Sequence, residues 1–184
     1  MEKNLRHLES PFEFFKLFFT AVRAMRSMRK TDSENRISPT FSERISLAVS
    51  GVNECAYCSW RHTKTSLEKG MTEDEIKELL KGNINTIPDN ESIALLYAQH
   101  FAETKGNVSN EARKRVVDYY GENKTQYIEK NIQAVYFGNM CSNTAYAFKN
   151  KLIDKKPDLK LRLTYYLSLP IANSIKKAAG NQKE

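Results

Sequence analysis

The chain has 184 residues, 40% hydrophobic and 28% charged, with seven glycines and five prolines. That is enough apolar material for one globular domain, and it excludes a disordered chain. The formal net charge of +7 brings nucleic acid or an anionic partner into consideration. The excess is spread over residues 23–30, 113–115, 149–156 and 176–183, with no zinc-finger spacing, RNA-binding aromatic signature or basic zipper. It therefore predicts solvated basic faces and no nucleic-acid partner.

Scarce glycine and proline beside many Lys, Glu, Ala and Leu favour long helices over a many-turned β fold. Ser10-Pro11-Phe12-Glu13 predicts a helix start: Ser10 caps, Pro11 suits the first position and Glu13 completes a capping box. This helix carries Phe14, Phe15, Phe18, Phe19, Val22 and Met25 on more than one face, so it should be covered by the rest of the fold or by another subunit. Residues 31–38 read as a polar linker. Ser38-Pro39 opens a second helix with Phe41, Ile45, Ala48 and Val52 inward, ending near Asn53. A third starts at Glu54 or Cys55, stops at Gly70 and presents Ala56, Trp60 and Leu67 as its buried stripe. Thr72 to Glu75 is another capping box, stapled by Met71 and Ile76, and that short helix ends at Gly82.

Asp89 or Asn90 begins a helix striped by Ile93, Leu96, Tyr97 and Phe101 and closed by Gly106. Ser109 caps another, with Ala112, Val116 and Tyr119 inside and Gly121 after it. The longest helix is expected from about 125 to 148, with Ile128, Ile132, Val135, Tyr136 and Met140 buried. In the tail, Leu159, Leu161, Leu163 and Tyr165 alternate like a strand, while Leu159, Leu163, Tyr166 and Leu167 fit a helix that Pro157 would start. Helix is the reading adopted, because no other segment offers a strand partner for the backbone. No linker is long enough to separate two domains. The expectation is an all-α, single-domain helical bundle.

The first apolar run, 12–19, is broken by Glu13 and Lys16, and a bilayer span needs about 20 apolar residues. With no signal-peptide pattern at the start, the expectation is a cytoplasmic protein with no membrane partner. Three cysteines is an odd number. In a reducing compartment a close Cys pair suggests redox catalysis or metal, not a structural staple.

That pair lies in Glu54-Cys55-Ala56-Tyr57-Cys58-Ser59-Trp60-Arg61-His62. On a helix, positions three, four and seven apart share a face, so Cys55, Cys58 and His62 stand together and the two sulfurs can meet. A helix N-terminus stabilises a thiolate, an imidazole can take the thiol proton, and a second thiol captures an oxidised sulfur as a disulfide. A zinc site would need two further ligands, for which His62 and Cys141 or His100 have no regular spacing. Cys141 reads as a buried free thiol, and His7 and His100 as without special role. The helix dipole favours Cys55 as the reactive thiol, whereas nearness to His62 favours Cys58.

Cys-x-x-Cys-x-x-x-His at a helix start, with a Glu twelve residues before the first Cys, resembles the alkyl hydroperoxidase D family of the carboxymuconolactone decarboxylase-like fold. Glu43, Cys55, Cys58 and His62 match position for position, and the resemblance runs from about 38 to 82. It continues weakly to 148, where an Asn139/Asn143 pair looks like the family's later helix. The resemblance implies an alkyl hydroperoxidase D-like core over 38–154; the N-terminal helix and linker at 1–37 and the helical extension at 155–184 lie outside it and are read from their own residues. It further implies a cofactor-free cysteine peroxidase: Cys58 attacks the hydroperoxide, Cys55 resolves, and Glu43 and His62 relay the proton. An external dithiol or protein donor would restore the thiols. The family usually forms trimers or hexamers, consistent with the Phe-rich first helix as a contact.

One departure from the family's best-studied pattern is Tyr57, where that pattern has a His before the second cysteine. It removes one proton-transfer group and leaves peroxidase strength open. The competing readings are a thiol–disulfide oxidoreductase without significant peroxidase activity and a redox-sensing module. A lactone decarboxylase is disfavoured, because the decarboxylase branch does not use this Cys pair.

Overall fold

The computed structural model describes residues 5–85, 87–150, 152 and 157–180. Within them the protein is all helical, with no strand: α1 (Pro11–Arg29), α2 (Pro39–Val52), α3 (Ala56–Glu68), α4 (Glu73–Leu80), α5 (Asp89–Glu103), α6 (Asn110–Tyr120), α7 (Glu122–Lys149) and α8 (Leu159–Ala179). A short 3-10 turn, Ser33–Asn35, interrupts the linker. The boundary expected at 154–155 lies outside the described residues.

Capping chemistry sets most of the helix starts. The side chains of Ser10, Ser38, Thr72 and Ser109 accept from the backbone N–H three residues on, satisfying donors that have no partner within the helix. At α1 the box closes one residue early: Glu13 Oε2 accepts from the N–H of Glu9, at 2.9 Å, instead of from Ser10. In the tail Asp158, not Pro157, is the cap of α8. α7 begins directly after Gly121, three residues earlier than its apolar pattern suggests, because Gly121 at φ +78° turns the chain straight from α6 into α7.

α2 is the central helix. It packs against α3, α4, α5 and α7, and every residue from Ile45 to Ser50 is buried. A single stripe under-reads such a helix, because neighbours on several sides bury Leu47 and Val49 as well. Around it, Ile76 and Leu79 of α4, Leu95 and Ala98 of α5, and Ile128, Ile132 and Met140 of α7 complete the core. α1 and α8 both lie along α7. Phe14 meets Phe137 edge-on at 5.6 Å between ring centroids, and the N–H of Leu8 donates to Thr144 Oγ1 at 2.9 Å. α8 also packs against α3.

α1 buries only part of its apolar surface: Phe14 is 5% exposed, whereas Phe12, Phe15 and Phe19 are 79%, 43% and 61% exposed. No helix among the described residues is long and apolar enough to cross a membrane.

Candidate redox site

The four residues singled out from sequence come from two helices and the turn between them. Cys55 is the N-cap of α3, just outside the helix at φ −81° and ψ 94°. Cys58 lies in the first turn of α3, and His62 one turn further along the same face. Cys55 and Cys58 are disulfide-bonded, with Cα atoms 5.3 Å apart, and both are buried. Glu43 is on α2. Its Oε2 lies 2.7 Å from His62 Nδ1, with side chains 13% and 10% exposed. The structure therefore brings the four residues to the α2–α3 junction.

Sequence reasoning misjudged the orientation of α3. Its buried residues are Cys58, His62 and Ser66, whereas Ala56 is exposed and Leu67 is 44% exposed. His62 on this face meets the carboxylate of Glu43 on α2. Trp60 is half-buried, and a Cβ on Gly180 would come within 3.4 Å of its ring. The ring of Tyr57 meets Tyr146 at 6.1 Å, edge-on, and Lys176 Nζ sits 5.5 Å from its centroid. α7 and α8 thus enclose the aromatic flank of α3.

Lys69 is a member of this site that sequence reasoning missed. Its Nζ donates to Glu43 Oε1 at 2.7 Å, so one carboxylate holds an imidazole and an ammonium, one on each oxygen. Burial alone raises the Glu43 carboxyl, but the hydrogen bonds and charges of His62 and Lys69 outweigh it and leave the group below its ordinary range. An ionised carboxylate only accepts, so Nδ1–H of His62 donates to it. That fixes the orientation of the ring and leaves Nε2 as the nitrogen not engaged by Glu43. Next door on α2, Arg44 donates to Glu75 at 2.7 Å and Glu91 at 3.0 Å, fastening α2 to α4 and α5.

The turn carrying Cys55 is shaped by Glu54, whose φ of +50° costs a residue with a Cβ roughly 1–2 kcal/mol. The Cys55 N–H donates to the Ser50 carbonyl at 3.1 Å. From α7, Asn143 Nδ2 donates to the Asn53 carbonyl at 2.8 Å and Asn139 Oδ1 accepts from Ser50 Oγ at 3.3 Å. The sequence showed the two asparagines one turn apart and gave no reason to aim them at the redox turn.

Cys141 is free and buried. Burial pushes its thiol up to about 12, against a hydrogen bond with Ser168 that lowers it. His7 Nδ1 contacts the Leu5 carbonyl at 2.9 Å, and His100 borders a cavity of about 760 Å³ between α5 and α6. Among the described residues no three His, Cys, Asp or Glu side chains are grouped so as to hold a metal ion.

Residues 17–87 match the model of the carboxymuconolactone decarboxylase family. The match takes in most of α1, all of α2, α3 and α4, and with them Glu43, Cys55, Cys58, His62 and Lys69. The chain is also similar to the uncharacterized protein YdfG of Bacillus subtilis (strain 168), with 28% identity over 118 residues, 63% of this chain and 79% of that protein. No solved structure matches the chain.

Proposed function

We propose that the protein is a cytoplasmic thiol-dependent peroxidase that reduces hydroperoxides through a Cys55–Cys58 disulfide cycle, with Glu43 and His62 as its proton relay. The observation that supports this most is the buried Glu43–His62 pair, 2.7 Å apart, on the helix face that carries the two cysteines. The match of residues 17–87 to the family model and the Cys pair are compatible with peroxidase-like activity.

In the reduced protein, His62 Nε2 takes the Cys58 thiol proton, while the Glu43 carboxylate stabilises the imidazolium. The Cys58 thiolate attacks one oxygen of ROOH. An S–O bond forms, the O–O bond breaks, and the leaving alkoxide takes the proton from His62 as ROH. Cys55, as thiolate, then attacks the Cys58 sulfenic acid. The S–S bond forms and hydroxide leaves, joining the Cys55 proton as water. The two electrons come from the dithiol, and an external dithiol returns them by thiol–disulfide exchange. No cofactor enters the cycle.

Tyr57 occupies the position between the cysteines where the family's best-studied pattern has a His, and its ring is engaged with Tyr146 and Lys176. That observation favours, as a second reading, a disulfide oxidoreductase with little peroxide turnover. A steady-state peroxide-consumption assay with several dithiol donors separates the two. The proposal expects turnover that is lost in Cys58→Ser, whereas disulfide exchange without peroxide consumption would establish the second reading.

The exposed stripe of Phe12, Phe15 and Phe19 supports a homo-oligomer, trimer or hexamer, with α1 as a contact. An apolar patch of this kind normally marks an interaction surface.

A further inference from the structure

We propose that Asn139 and Asn143 of α7 are positioning residues for the redox pair: they clamp the turn that carries Cys55 and so set how readily Cys55 closes onto Cys58. The inference rests on the reading that this pair cycles between dithiol and disulfide.

Cys58 is held by the regular lattice of α3. Cys55 is not, because it lies outside the helix as its cap, and the position of its sulfur depends on the backbone of residues 50–55. The N–H groups of Asn53 and Glu54 donate to the carbonyls of Val49 and Gly51 at the end of α2, and further bonds hold the stretch that leads to Cys55. The Cys55 N–H donates to the Ser50 carbonyl, Ser50 Oγ donates to Asn139 Oδ1, and Asn143 Nδ2 donates to the Asn53 carbonyl. Two of these bonds reach α7, 89 and 90 residues away along the chain. Ser50, Asn53, Asn139 and Asn143 are all 2% exposed or less, so water does not compete for these bonds. Asn53 brings a second observation: both polar atoms of its own side chain are buried without a protein partner among the described residues. Asn53 is therefore tied to α7 through its backbone, not its side chain.

A clamped turn holds the two thiols near the 5.3 Å Cα separation of the bonded pair, within the range a disulfide accepts. Closing the bond then removes little conformational freedom. A released turn lets Cys55 wander in the dithiol form, so the disulfide becomes easier to reduce and slower to form.

The test is an equilibrium titration of the Cys55–Cys58 couple in glutathione buffers, in the full-length protein, for wild type and for Asn143→Ala, Asn143→Ser, Asn139→Ala and Asn131→Ala. A neutral buried hydrogen bond contributes roughly a factor of five. The disulfide's equilibrium constant should therefore fall about fivefold in Asn143→Ala, a rise of about 20 mV for a two-electron couple. Asn139→Ala, acting through Ser50, should give a smaller fall in the same direction. Asn143→Ser supplies a reading if the alanine variant does not fold. Asn131 is the control: it donates to Ser42 at the other end of α2, so its loss should lower stability and leave the potential unchanged. Equal potentials in wild type and the Asn139 and Asn143 variants would overturn the clamp while leaving the peroxidase proposal standing. A wild type that consumes no peroxide yet shows the expected shifts would overturn the peroxidase proposal and leave the clamp. A wild-type pair that never forms a disulfide in the titration would overturn both.

Discussion

Glu43 sits between an imidazole and an ammonium, each 2.7 Å from one of its oxygens, and this arrangement makes a pH-dependent claim. Its carboxyl is lowered in the folded protein, so the unfolded chain binds the proton more readily. The contribution is therefore fully present above the unfolded value of about 4.3 and is lost as pH falls through the folded value. The stability difference between wild type and Glu43→Gln should be on the order of 1–2 kcal/mol at pH 7. It should shrink below about pH 4, as read by urea midpoints across pH. A difference independent of pH would mean that the carboxylate charge is not what matters there. The cysteines make a second claim. In the reduced native protein Cys58 should be alkylated first, and Cys141, buried and pushed up to about 12, about 100-fold more slowly than Cys58. Labelling followed by mass spectrometry, with Cys55→Ser and Cys58→Ser compared across pH, checks both. Faster reaction at neutral pH of the protein that keeps only Cys55 would reverse the two roles. The pattern of Cys55, Cys58 and His62 was legible because helical spacing alone aligns them. Glu43 was legible only through the family resemblance. Lys69 was not legible, because only the return of α3 alongside α2 brings it to a carboxylate 26 residues earlier.

Helix starts were legible because capping is local chemistry: Ser10, Ser38, Thr72 and Ser109 all cap as their neighbours suggest. Which face of a helix turns inward is decided elsewhere. On α3 the most apolar residues, Trp60 and Leu67, lost the interior to Cys58, His62 and Ser66: Glu43 on α2 supplies the partner of His62, and the disulfide ties Cys58 to the turn before the helix. The end of α2 is fixed as tightly by packing as by hydrogen bonds. A Cβ on Gly51 would lie 2.5 Å from the Leu80 carbonyl oxygen, and neither backbone can yield easily. Gly51→Ala should therefore destabilise by about 1–3 kcal/mol through overpacking, measured by chemical denaturation. It should also disturb the turn that follows. An unchanged midpoint would mean that α2 and α4 can slide apart at little cost.

At the scale of the molecule, the described residues pack α3, α4, α5 and α7 about α2 and leave Phe12, Phe15 and Phe19 of α1 exposed. An all-helical bundle follows from composition and caps. The close association of α1 with α7 does not, because it joins distant parts of the chain without a local signal. If α1 is a subunit contact, light scattering at micromolar concentration should give a multiple of the 21.2 kDa chain mass. The doubly substituted Phe12→Ser, Phe19→Ser protein should shift toward the single chain. A wild type that runs as a monomer would remove α1 from that role. The most direct test of the account is kcat/KM for one hydroperoxide with one saturating dithiol donor, at fixed pH, in wild type, Glu43→Gln, His62→Ala and the double variant. Losing a general base or its orienting partner should cost about 10²–10⁴-fold. The double variant should be about as slow as the worse single one, since both residues serve one proton path. An unchanged rate for Glu43→Gln, or losses that multiply in full, would contradict the relay.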